Sequence, residues 1–150
     1  MWVVEIRHND GIQHNDGFVR IELVGREGNE SPCAGDVSVH VTAASHGFTG
    51  ENRMVGLAAP DLAGFVEQLA QLEIHRQGEA TLASTDPREL RLRLRSIDSL
   101  GHMAVDGEVM RHVVVAGCFS PHSVAFEFEF DPTTLPAVLA GFQRLQGNSS

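Results

Sequence analysis

Two stretches of this chain carry the same helical stripe, and few folds accommodate both. Between residues 60 and 72 the apolar positions are Leu62, Phe65, Val66, Leu69 and Leu72, the i, i+3, i+4, i+7, i+10 spacing of a helix with one buried face. Leu135, Val138, Leu139, Phe142 and Leu145 repeat that spacing 73 positions on (135 − 62 = 73). Each stripe has a proline for its first turn, Pro60 and Pro132, where a missing N–H costs nothing. The segments between them alternate apolar and polar residues, the period of a strand with one face buried. Val19 and Ile21 recur as Leu92 and Leu94 at the same offset, and Val55 and Leu57 recur as Phe128 and Phe130.

These patterns predict strands over 2–7, 18–24, 36–43, 53–58, 79–84, 88–97, 100–110 and 123–130, with helices over 60–72 and from Asp131-Pro132 onward. Gly78 reads as the stop signal beyond the first helix, and the tail from Gly147 reads as frayed. Asp106-Gly107 reads as a tight turn or a bulge, and 111–122 fits either a strand through its Val-Val-Val run or a loop through Ser120-Pro121. Consecutive strands joined by short turns pair antiparallel, and a helix after each set covers the apolar face. The expected fold class is therefore α+β: about eight mainly antiparallel strands and two helices, ββββα duplicated with a pseudo-twofold relation. At 150 residues one domain is expected, with internal halves of about 1–77 and 78–150.

The formal charge of −9 argues against nucleic acid as a direct ligand, since phosphate binding rests on a basic surface. A charge follows Met1 within a few residues, and the longest apolar run, 113–119, is far too short to span a bilayer. A cytoplasmic protein without a membrane partner is expected. Cys33 and Cys118 lack any CxxC or metal-ligand spacing and are expected to be reduced thiols packed as small hydrophobes.

No nucleophile elbow, phosphate-binding loop, dinucleotide fingerprint or HExxH helix is present, so no catalytic residue, cofactor or metal is assigned. The tetrapeptide His-Asn-Asp-Gly occurs twice, at 8–11 and 14–17, and reads as turn chemistry rather than as a metal loop. His40 and His46, His102 and His112, and His112 and His122 are the pairs that adjacent strands could bring together, but each falls at a polar strand position or in a loop. Arg91, Arg93 and Arg95 are the sharpest surface feature, because alternation places all three on one strand face about 7 Å apart. They read first as a cross-strand ladder with acidic side chains such as Glu127 and Glu129, and second as a docking row for an acidic or phosphorylated group.

Several runs also carry a family likeness: Gly-Glu-Ala-Thr-Leu at 78–82, the segment 89–95, Gly101-His102 after a turn, and 126–130 followed by Asp-Pro-Thr-Thr-Leu-Pro at 131–136. Together they resemble the WapI-like family of bacterial immunity proteins and related small domains of unknown function. The resemblance implies a non-catalytic protein that binds and neutralises a cognate toxin domain made by the same cell, often a nuclease. Two other classes stand beside it. A small-ligand-binding or enzymatic domain would show a deep cleft holding perturbed titratable groups, and a homo-oligomeric structural protein would show a large apolar patch joining copies.

Overall fold

A computed structural model describes residues 2–8 and 17–147, and of the hairpin loop expected over 8–17 all but the two end residues lie outside the described residues. Among the described residues the chain forms two four-stranded antiparallel meanders, each followed by a helix. The first sheet orders β1 (Val3–Arg7), β2 (Gly17–Arg26), β3 (Val37–Ser45) and β4 (Phe48–Leu57) as neighbours, and α1 (Ala59–His75) follows. In the second, β5 (Glu79–Ala83), β6 (Leu90–Ser96), β7 (Met103–Val115) and β8 (Cys118–Phe130) are likewise neighbours. A 3-10 turn, Pro132–Thr134, then leads into α2 (Leu135–Gln146).

The expected α+β class is the one observed. Each helix docks on the first strand of the other half, α1 on β5 and α2 on β1, and the two helices pack against each other. Phe65 and Phe142 meet there edge to face with ring centroids 4.8 Å apart. The stretches around Pro60 and Pro132 therefore each face the opposite half. The edges of the sheets also meet in matching ways: Thr85, just past β5, donates its N–H to the Gly56 carbonyl of β4 at 2.8 Å, and His8, just past β1, bridges to Phe130 of β8.

Burial follows the two periods. Val19, Ile21, Leu92, Leu94, Phe128 and Phe130 are almost fully buried, and the helical stripes close over them to form one cluster drawn from both halves. Small residues let the layers approach. A Cβ on Gly17 would lie 2.7 Å from the Phe128 ring, one on Gly50 2.8 Å from Val124, and one on Gly141 of α2 2.8 Å from Val4 of β1. Polar groups at the junction are satisfied in place: buried Asn52 donates to the Met110 carbonyl at 2.8 Å and to Glu89 at 2.9 Å while accepting from the Met54 N–H.

Several boundaries differ from the sequence expectation. α1 has no side-chain cap of its own, but Asp36 reaches over from the start of β3 to accept the Ala59 N–H at 2.8 Å. Its stop is Arg76, left-handed at φ 58°, whose N–H returns to the Leu72 carbonyl, so Gly78 serves the entry to β5 instead. Gly147, expected to be frayed, is the left-handed cap of α2, and Arg26 donates to the Leu145 carbonyl at that end at 2.7 Å. Asp106-Gly107 is neither turn nor bulge: both residues lie in the middle of β7, in unbroken register with β6 and β8. The stretch left open at 111–122 is a strand, a two-residue turn and a strand. The turn is Ala116-Gly117, both at positive φ, matching His46-Gly47 in the first half and having the geometry whose twist suits a tight hairpin.

Candidate functional site

The arginine row is where alternation placed it, on the outer face of β6. Its neighbours in register supply the counter-charges. Arg93 Nε lies 3.1 Å from Asp106 of β7, with Glu79 of β5 at 3.5 Å, and Arg95 bridges Asp106 at 3.1 Å and Glu127 of β8 at 3.0 Å. Arg91 is the loose end, its guanidinium 3.8 Å from Glu108. The row is thus a ladder spanning all four strands of its sheet, flanked by shallow clefts of about 430 and 560 Å³. Its more exposed pairs, Arg91 with Glu108 and Arg93 with Glu79, contribute at most about 1 kcal/mol each.

The histidines disperse. His40 Nε2 bonds Glu51 at 2.9 Å, and that bond, followed by the nearby Arg53 charge, holds the Glu51 carboxyl below its ordinary range against desolvation. His46 and His8 rings lie 6.4 Å apart, and the His112 ring packs on Phe119 with centroids 6.1 Å apart. Among the described residues no three His, Cys, Asp or Glu side chains are grouped to hold a metal. Both cysteines are exposed, a correction to the packed thiols expected: Cys33 lies in the loop before β3 and Cys118 beside the β7–β8 turn.

His102 is held by its own turn. Asp98 accepts the Leu100 and His102 N–H groups and bonds His102 Nδ1 at 2.5 Å. That side-chain bond, then the Asp98 charge, raises the His102 pKa above its ordinary 6.5, and the same bond lowers Asp98 below 3.8. The raised histidine stabilises the turn below the unfolded pKa near 6.5 and loses that contribution as pH rises through its folded value. The lowered aspartate contributes above 3.8 and loses its share as pH falls through its folded value, so the pair acts fully between about pH 4 and 6.5. An NMR titration should place His102 above 6.5 in the native protein, and Asp98→Asn should return it toward that figure. An unchanged midpoint in the variant would remove Asp98 as the cause.

One feature of the second half has no counterpart in the first. β7 runs thirteen residues where β3 runs nine, so the β7–β8 hairpin reaches roughly 14 Å farther at about 3.4 Å per residue. Buried positions stop at Met110 on β7 and start at Phe126 on β8; beyond them the arm is exposed, with Phe119 at 79% and Val114 at 67%. At its root a cleft of about 540 Å³ opens between the sheets, lined among others by Thr42, Thr49, Glu51, Arg111, His122 and Ser123. Sequence reasoning left this arm open because Ser120-Pro121 resembles a loop. The usable signal was Ala116-Gly117 directly after the Val113-Val114-Val115 run, since Pro121 is tolerated on an edge strand.

The profile of the immunity protein WapI-like family matches residues 10–145. The chain belongs to this family. The match spans both halves, from before β2 to the last turn of α2, so it covers the ladder, the cleft and the arm alike. No curated protein and no solved structure matches this member of the WapI-like family significantly. No helix of its described residues is long and apolar enough to cross a membrane.

Proposed function

We propose that this WapI-like protein is a bacterial immunity protein that binds a cognate toxin domain directly, in the cytoplasm of the cell that makes both, and blocks it without catalysis. The family match over 10–145 carries this reading. The formal charge of −9 supports it, because an acidic inhibitor gains association rate and specificity toward a basic target such as a nuclease. The charged groups of the outer sheet face are engaged with one another, an arrangement suited to a rigid recognition surface. In that role Arg91 is the member of the row best placed to exchange its 3.8 Å partner for a carboxylate of the toxin.

Calorimetry against the toxin-like C-terminal domain encoded beside the gene tests the proposal. Nanomolar affinity with loss of toxin activity is expected. Absence of binding at micromolar concentrations, or binding that leaves the toxin active, would overturn it.

A further inference from the structure

The β7–β8 arm is costly to display and contributes nothing to the core, which points to a partner. Its residues 111–122 pair in continuous register, Arg111 with His122, Val113 with Ser120 and Val114 with Phe119, around the tight Ala116-Gly117 turn, so it is an ordered strand pair. Phe119, Val114 and Val115 are exposed at its end. An exposed aromatic on an edge strand is an aggregation liability unless something covers it. Pro121 lies on that edge strand and removes one backbone donor from it, which opposes continuation of the sheet into a neighbour by strand addition. Recognition through side chains remains.

The charge of the arm narrows the partner. In a chain with 20 acidic and 11 basic residues, 111–122 holds Arg111, His112 and His122 and no Asp or Glu. Ten of the eleven arginines pair with a carboxylate, bond backbone carbonyls or sit over an aromatic ring; Arg111, at the mouth of the root cleft beside His122, does none of these among the described residues. Thr42, Thr49 and Ser123 bring hydroxyl donors to the same cleft, and the one carboxylate lining it, Glu51, is already engaged by His40 and Arg53. A guanidinium with free donors, in a cleft that also offers hydroxyls and whose own carboxylate is already paired, suits an incoming carboxylate, and the tip beyond it suits an apolar recess. Burying Phe119 alone would remove on the order of 150 Å² from water, the scale of a hot-spot anchor.

Resting on the immunity reading above, we infer that the β7–β8 arm is the primary toxin-binding element: Phe119 and Val114 seat in an apolar recess of the toxin domain, and a carboxylate on the rim of that recess pairs with Arg111. The acidic body steers the encounter, and the arm, a locally basic exception, sets the register.

Calorimetry of the full-length protein with the neighbouring toxin domain is the test, using Val114→Ser/Phe119→Ser, Arg111→Glu, and Ile74→Ser as a control that removes an exposed apolar side chain from α1. The substitutions lie on exposed positions, and circular dichroism melts matching the parent show that each variant folds. The double variant is expected to bind about 100-fold more weakly and Arg111→Glu about tenfold, with Ile74→Ser within twofold. Wild-type binding that survives the arm variants within threefold overturns the arm and leaves the immunity reading standing. A wild-type protein that does not bind at all overturns both. A wild-type dimer in sedimentation that the double variant turns to monomer, with toxin affinity unchanged, assigns the arm to self-association and likewise overturns the inference.

Discussion

Phe142→Ala is expected to lower the unfolding free energy by about 3–5 kcal/mol, a large part of the 5–15 kcal/mol that a domain of this kind holds. Phe142 is fully buried where α2 meets α1, its ring edge to face with Phe65 at 4.8 Å. Because this contact joins the helix of one half to the helix of the other, little on either side is free to collapse into the void. Urea unfolding would show the loss as a lower midpoint with an unchanged slope. A double-mutant cycle with Phe65→Ala should add a coupling of roughly 0.5–1.5 kcal/mol beyond area burial. Additive single losses would mean that the aromatic geometry contributes nothing of its own. A loss below 1 kcal/mol for Phe142→Ala would mean that the halves are held elsewhere.

Gly107→Ala should cost about 3 kcal/mol or more, although it adds a single methyl group. Gly107 stands in the middle of β7 between Leu92 of β6 and Phe126 of β8. A Cβ there would fall 2.0 Å from the Arg91 carbonyl oxygen and 2.9 Å from the tip of the Phe126 ring. The ring can turn aside at modest cost, but the carbonyl belongs to the strand ladder and moves only with it. The clash therefore reaches Arg91 and Asp106, which flank the glycine in the ladder of charges. Thermal melts are expected to fall by at least about 6 °C. A variant that melts with the parent would show that β6 and β7 are farther apart at this position than the register implies.

That glycine also marks the limit of what local pattern conveys. Asp-Gly between apolar runs is turn chemistry by composition, and only the register of three strands shows that the glycine is there because an aromatic ring and a carbonyl occupy the space a side chain would need. The same holds at Ser120-Pro121. Proline argues against a central strand, but which strand forms the edge is a property of the sheet. α1 shows the point again, since its N-terminal cap, Asp36, lies 23 residues earlier in the chain.

The arginine row was legible because alternation assigns a face without reference to the fold. Its partners were not all legible. Glu127 pairs with Arg95 as the ladder reading anticipates in kind, whereas the central partner Asp106 falls in a dipeptide that reads as a tight turn or a bulge. The exposure of Cys33 and Cys118 departs from the burial habit of free thiols because both lie outside the two alternating sets that build the core.

By itself the sequence determined the two periods: helical stripes at 62–72 and 135–145, alternating strands between them, and hence the α+β class with halves built alike. Those are decided by which side chains leave water, and a period of 3.6 or 2 records that choice along the chain. Tertiary structure alone decided that each helix covers the first strand of the opposite half, that Asp106 lies within β7 and anchors the arginine ladder, and that one hairpin outgrows its counterpart by four residues on one strand and three on the other. Each of these depends on which distant segments share a surface, and long-range adjacency leaves no period in a single chain.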